Sequence, residues 1–399
     1  MASDELAQRV VAEIARRTGT DARDWHLVFR ARHAMAVVLR ALREARGHGE
    51  VATQLLTCCT AVDPIYAAGL AVRYADVSPD TLALDAEQLP LGADTRAVVL
   101  QHTFGLFDQE ADAALVARAH SVGALVLEDC AHCACHLSRD ASGAPLADVS
   151  VHSFGIQKMA PAGFGAAVWV NPSMEDVGLR DAIVAALQSL PAADDRLERA
   201  VKGYDLLIRV LLHLPMAIRK PLRNLLVRRR AFIPAVADEE RRGIVSYDAT
   251  LPGGSTLACM REGLDGLDAR EGECLEATRI YAKAFAPLAQ GGLVSIPKAA
   301  LGQPRPLMRF PLVLDSQQRA DALVEAIEAK GCYCDSWGRP ALYPGALDWT
   351  AYGLSADGEL SRWPHTQGVV QGIVPLYNAV PADEAHLVAQ IVTSFLEEG

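Results

Sequence analysis

The stretch LEDCAHCACH, residues 127–136, packs three cysteines, two histidines and two acids into ten positions. Two readings compete for it, and they imply different folds. By ligand type, Cys130, Cys133, Cys135 and His136 look like one half of a zinc knuckle. By hydropathy, the run GALVLED at 123–129 is a buried strand that delivers Asp129 at its end. A structural zinc needs about four ligands in tetrahedral reach, usually with a second Cys or His pair at suitable spacing. Cys332 and Cys334 supply the number, but they are a C-x-C remote in the chain and offer weak support. The strand reading therefore stands, no metal is expected, and the cysteines read as small buried residues on the element after the strand.

Working outward from that strand, apolar runs of five to seven residues alternate with amphipathic stretches. VATQLLT, LAVRYADV, TRAVVLQHTFG, DQEADAALVARAHSVG, ALVLED, DVSVHSF and GAAVWVN follow one another from about 50 to 170. This is the pattern of an α/β fold, a mostly parallel central sheet with helices on both faces. Ligands of such sheets lie at the carboxyl ends of the strands, which singles out His102, Asp129 and SFGIQK at 153–158. The pattern predicts a large domain over 1–290, begun by an amphipathic helix at 1–20 and including a helical run at 255–288. A Pro/Gly-rich boundary near 289–305 leads to a smaller α+β domain over 291–399, with a strand LMRFPLVL, a helix SQQRADALVEAIEAKG and a closing helix after PADEA.

The bulk composition limits the partners. Thirty-eight basic and 49 acidic residues give a formal charge of −11, so nucleic acid is not an expected ligand. The N-terminal sequence has no apolar h-region and the chain no run of about 18 apolar residues, which predicts a cytoplasmic protein. Nine cysteines, an odd number in close pairs, are expected to be reduced thiols. One segment departs from the average. Residues 201–230 carry eight Lys and Arg against the single acid Asp205, interleaved with Leu, Ile, Val and Met and broken by Pro215 and Pro221. Such a basic amphipathic insert either makes peripheral contact with a membrane interface or covers the active-site mouth or a dimer surface.

The chemistry lies in the spacing of Asp129, Ser153 and Lys158. A strand-end carboxylate needs a cationic or hydrogen-bonding partner. A lysine among Met, Ala and Pro in an apolar loop has a depressed pKa, as a Schiff-base lysine requires. Together, an aspartate for a pyridinium nitrogen and a lysine for an aldehyde describe a pyridoxal phosphate site.

The order of motifs resembles the DegT/DnrJ/EryC1/StrS aminotransferases, sugar aminotransferases of the fold-type I pyridoxal phosphate enzymes. The matching pieces are DVSPDTLALD, HTFG at 102–105 with the helix containing Asp112, LEDCAH, SFGIQK, LDGLDAREGECLEATRIY and GIVPLYNAVPADEAHLVAQIV, in sequence. The resemblance implies that Lys158 forms the internal aldimine and moves the substrate proton, that Asp129 holds the ring nitrogen protonated, and that Ser153 donates to the cofactor phosphate. His132 falls where the family usually has a glutamine near the ring. The chain departs from the family at the rim. Arg32 and His33 stand where a Gly-Thr pair opens a phosphate-binding helix, Cys58 stands where an aromatic stacks on the ring, and YDATLPGG at 247–254 replaces the Asn-x-Arg segment that reaches over from a partner subunit. Trp337, Arg339 and Tyr343 lie where the family places substrate contacts; each of these, and His102 and Arg309, is equally readable as packing.

The implied activity is an aminotransferase working in two halves, as a homodimer, with glutamate as amino donor and a keto-sugar or related carbonyl compound as acceptor. The altered rim and the basic insert suggest instead a lipid-linked or membrane-presented acceptor. Two alternatives keep the cofactor: a dehydratase or eliminase, although relatives of that kind have often lost the lysine retained here, and a regulatory protein that binds the cofactor without turnover.

Overall fold

The computed structural model describes residues 2–398, and its core is a seven-stranded sheet. The strands are β1 (Trp25–Val28), β2 (Glu50–Thr53), β3 (Ala71–Tyr74), β4 (Thr95–Gln101), β5 (Leu125–Cys130), β6 (Val149–Ser153) and β7 (Ala166–Val170). Their spatial order is β1-β7-β6-β5-β4-β2-β3. Pairs among β2 to β6 are parallel, whereas β7 runs antiparallel to both β6 and β1. Every residue of β5, β6 and β7 is buried, as expected of strands covered on both faces.

The helices of the first part are α1 (Ala2–Thr18), α2 (Ala31–Arg46), α3 (Cys59–Ala67), α4 (Gln109–His120) and α5 (Val177–Gln188). Helix α2 reads ARHAMAVVLRALREAR, and its apolar side packs with α5 on one sheet face through Met35, Val38, Leu39 and Leu42. Helix α4 covers the opposite face through Leu115, Val116 and Ala119. After α6 (Asp195–Lys202), the basic segment forms two helices, α7 (Tyr204–His213) and α8 (Met216–Arg228), with Pro215 as the N-cap of α8 and Pro221 inside it. The helical run expected at 255–288 is two helices, α9 (Gly254–Asp265) and α10 (Leu267–Gln290), parted at Gly266.

After α10 come a short helix α11 (Lys298–Leu301), strand β8 (Arg309–Val313), α12 (Gln317–Glu328), α13 (Pro364–Gly372), strand β9 (Ile373–Tyr377) and α14 (Ala382–Glu398). Strands β8 and β9 form a separate antiparallel pair that packs against α10, α12 and α13, with α14 laid on α10 and α12. The antiparallel β1 was not predicted. It is four residues long and gives no pattern on its own.

Gly165 closes the β6-β7 end of the sheet. It has φ +108°, its N–H donates to the Phe29 carbonyl at 2.8 Å, and a Cβ would meet Met260 Sδ at 2.5 Å. Gly165→Ala is therefore expected to destabilise the protein by about 2–4 kcal/mol in chemical unfolding. Trimming Met260 to alanine in the same chain should not restore stability, because the backbone strain remains.

Candidate active site

Strand β5 lies between β4 and β6, with Gln101 opposite Asp129 and Asp129 opposite Val151. Because side chains alternate along a strand, adjacent Glu128 and Asp129 leave it on opposite sides. Asp129, Ser153 and Lys158 line one cavity of about 560 Å³ at the carboxyl ends of these strands. Among the expected site residues, Arg32, Cys58, His102, His132, Trp337 and Tyr343 line it too.

Asp129 is 7% exposed, and one carboxylate oxygen accepts the Ala131 N–H at 2.9 Å. Burial raises its pKa, against the opposing pull of that bond and of Lys158. The Lys158 ammonium is disfavoured by burial, which lowers its pKa despite Asp129 nearby. Its Nζ has no hydrogen-bond or ion-pair partner among the described residues. A buried carboxylate and a free amine thus share a space that no protein group fills.

The other wall groups have defined states. The Phe104 N–H donates to His132 Nδ1 at 3.0 Å, which fixes the neutral tautomer with its proton on Nε2. Burial, Lys158 and Arg309 hold the His132 pKa well below the ordinary value. The ring stacks on Phe104 and meets Trp337 edge-on at 4.9 Å. Ser153 Oγ accepts only a long bond from Gly155 N–H, at 3.4 Å. Cys58 is the N-cap of α3 and its Sγ accepts from Thr60 Oγ1 at 3.1 Å. Its neighbour Cys59, Thr60 and the Arg32 charge lower the thiol pKa to about 6, against burial.

Four arginines line the cavity, Arg223 from α8 and three others whose partners are defined. Arg309, 1% exposed, is held by Asp335 through Nε at 2.9 Å. Arg32 pairs with the fully buried Glu240 and donates to the Ala235 carbonyl at 2.7 Å. Arg30 donates to the Pro234 carbonyl at 2.8 Å, lies over the Phe164 ring at 5.3 Å, and leaves Nη1 without a hydrogen-bond partner. Burial lowers the Arg30 pKa to about 9. Arg30 and Glu240 escaped the sequence reading because they are 210 positions apart and nothing local pairs them.

Two expected residues lie elsewhere. His33 is 1% exposed, turns to the Ser246 carbonyl at 3.0 Å and is held neutral with its pKa lowered by burial to about 3; it is not in the cavity wall. Arg339 pairs with Asp321 outside the cavity. His102 is in the wall, but it is bound by a carboxylate as well as by backbone. Its Nδ1 lies 3.1 Å from the Leu106 carbonyl and its Nε2 2.8 Å from Glu128 Oε1, so both ring nitrogens donate. Burial alone would lower its pKa, but Asp112 and Glu128 lift it to about 10. Glu128 falls to about 2 because His102, Ser150 and Ser138 outweigh its own desolvation.

This pair sets a pH window. The raised His102 contributes stability in full below its unfolded value near 6.5 and loses it as pH climbs toward 10, while the lowered Glu128 contributes in full above 4.5 and loses it toward 2. Glu128→Gln is expected to lower stability by about 3 kcal/mol near pH 5.5, where both contribute in full. Denaturant titrations should find a smaller difference near pH 9.5; a difference independent of pH would refute the assignment.

His102, Glu128 and Cys130 bring possible metal-ligand atoms within 4.8 Å of one another. Each already has a protein partner: Cys130 Sγ donates to the His136 carbonyl at 3.2 Å, and Glu128 accepts from His102, Ser138 and Ser150. All nine cysteines are free thiols.

Solved structures of the same fold cover nearly the whole chain. The sugar aminotransferase CalS13 from Micromonospora echinospora superposes with a TM-score of 0.66 at 21% identity, over 98% of this chain and 91% of its own. An aminotransferase from Psychrobacter cryohalolentis gives 0.69 at 16% identity, over 99% and 92%. NtdA from Bacillus subtilis, solved with the cofactor PMP, gives 0.67 at 14% identity, over 98% and 76%. Among curated protein sequences, none matches this chain. Residues 28–204, the segment holding Asp129, Ser153 and Lys158, match the model of the DegT/DnrJ/EryC1/StrS aminotransferase family, the family that the motifs within that segment resemble.

Proposed function

We propose that the protein is a pyridoxal phosphate-dependent aminotransferase that takes an amino group from an amino acid, glutamate by family expectation, and delivers it to a keto-sugar or related carbonyl acceptor. The observation that carries this reading is Lys158: a half-buried amine without a partner among the described residues, its pKa lowered by desolvation, in one cavity with the buried carboxylate of Asp129. CalS13 is a sugar aminotransferase and NtdA was solved with PMP, which support the class of acceptor and of cofactor.

The residues present fit the cofactor. Asp129 would offer a desolvated carboxylate to a ring N–H, His132 Nε2–H could donate to a ring oxygen, and Ser153 Oγ, Arg32 and the Arg30 Nη1, which lies 4.0 Å from Glu240 and makes no hydrogen bond, would suit a phosphate. When bound, pyridoxal phosphate supplies an aldehyde for amine exchange and a ring that withdraws electrons from the substrate carbon. Lys158 would supply two things there: a neutral amine able to hold the aldehyde, and a base placed to carry a proton at its Nζ. Asp129 would favour a protonated ring nitrogen by holding negative charge beside it. Trp337, Tyr343 and Arg309 wall the acceptor side, and Cys58 gives a small, polarisable face where an aromatic is usual.

A second reading rests on the insert. Tyr204, Ile208 and Phe232 add an apolar wall to the cavity, with Arg223 beside them. That combination favours an acceptor with an apolar portion next to an anionic one, as a lipid-linked sugar has. We propose further that the enzyme is a cytoplasmic homodimer with 1–290 as the cofactor domain and 291–399 as the smaller domain.

The test is to load the protein with pyridoxal phosphate, record visible absorbance and add glutamate. Bleaching with formation of one equivalent of 2-oxoglutarate per site supports the reading. A protein that takes up cofactor and does not bleach with any amino acid would be a binder without turnover.

A further inference from the structure

Helices α7 and α8 are apolar on two faces. Their inner side, including Tyr204, Leu207, Leu211 and Leu226, packs on Phe29, Phe164 and Phe232. Their outer side leaves Leu206 70%, Val210 47%, Leu212 61%, Met216 67%, Ile218 54% and Leu225 45% exposed. These six are nearly half of the thirteen large hydrophobic side chains exposed among the described residues, gathered in 20 positions of sequence. Leu206 and Val210 are four apart and Ile218 and Leu225 seven apart, the spacings of a helical stripe. An apolar patch of this kind marks an interaction surface.

The charge of the same segment selects the partner. Residues 202–230 hold eight basic residues and one acid, or +7, which leaves the rest of a −11 chain at −18. Lys202, Arg209, Lys220, Arg228, Arg229 and Arg230 are exposed, and none is in an ion pair among the described residues. We infer that the outer face of α7 and α8 docks on an anionic lipid surface. Leu206, Leu212, Met216 and Ile218 enter the boundary between headgroups and chains, and the surrounding Lys and Arg pair with lipid phosphates. A second copy of the chain fits less well, because a two-fold contact would set this +7 patch against itself. Nucleic acid would use the cations and leave the apolar stripe exposed. No helix among the described residues is long and apolar enough to cross a membrane, so the contact is peripheral.

The same hairpin lines the cavity with Tyr204, Ile208 and Arg223, so docking sets the cavity wall against the bilayer. The inference does not depend on the reaction catalysed, and its test needs no acceptor. The full-length protein is co-sedimented with vesicles of phosphatidylcholine alone or mixed with phosphatidylglycerol, at low and high salt. Expected is pelleting with the mixed vesicles only, weakened by salt. The variant Leu206→Ser/Met216→Ser/Ile218→Ser should bind the mixed vesicles about tenfold more weakly or worse, with its glutamate half-reaction and melting temperature unchanged. Arg209→Gln/Arg228→Gln/Arg229→Gln should bind more weakly and lose most of the salt dependence. Absence of pelleting at low salt would overturn the inference, as would equal binding to both vesicles. So would a wild-type dimer that the Leu206/Met216/Ile218 variant converts to monomer, since a second copy would then cover the face.

Discussion

Lys158→Ala is expected to slow the glutamate half-reaction by about a thousandfold or more, the range spanned by the loss of a positioned proton carrier. Stability should hardly change, because Lys158 Nζ has no native hydrogen bond or ion pair to lose among the described residues. The fold and the chemistry are thereby separable in one variant. Burial lowers the Lys158 pKa, so the acid limb of the rate profile, where the amine protonates, should lie below the ordinary lysine value near 10.4. Lys158→Arg should not restore the rate, since a guanidinium stays protonated across that range. A small primary amine added to the alanine variant should restore part of it by supplying the missing base. Single-turnover absorbance measures all three, and an alanine variant within about tenfold of the wild type would remove Lys158 from the proposed role.

Asp129→Asn is expected to lower the same rate by about a hundredfold or more, the usual loss when one preorganised electrostatic partner is removed. Asparagine can keep the bond from the Ala131 N–H, at 2.9 Å in the native site, and removes only the charge. Burial disfavours the native carboxylate, so its charge is maintained at the expense of stability, and the asparagine variant should be as stable as the wild type or more so. A slow but well-folded variant would mark an electrostatic role. If instead the melting temperature falls while the rate holds, Asp129 serves the strand end alone.

The sheet was legible because strands covered on both faces are mostly apolar. VVLQ, ALVLE, VSVHS and AAVWV all announce themselves in that way, and the long helices follow from their periodicity. Strand β1 was not legible, because four residues on an antiparallel edge carry too little pattern. The break at Gly266 was equally hidden, since the apolar periodicity runs on through it. Within the insert, the prolines announced a break, but only one of the two makes it: Pro215 opens α8, and Pro221 lies in the middle of it.

At the site, the division falls between what a strand end must do and what distant elements bring to it. The alternation of β5 separates Asp129 from Glu128, and the five-residue step from Ser153 to Lys158 follows directly from the end of β6, so the sequence by itself determined that a carboxylate, a hydroxyl and an amine gather at one sheet end. It also determined that 201–230 is basic and apolar at once. The partners of the flanking residues were decided only by tertiary structure. Arg32 meets Glu240, Arg309 meets Asp335, His102 takes Glu128 and His33 turns to Ser246, because each is a buried polar group that must find its counterpart wherever the fold places one. Local sequence fixes which groups need a partner; packing between elements 26 to 213 residues apart fixes which partner each receives, and so which side chains remain free to face a ligand.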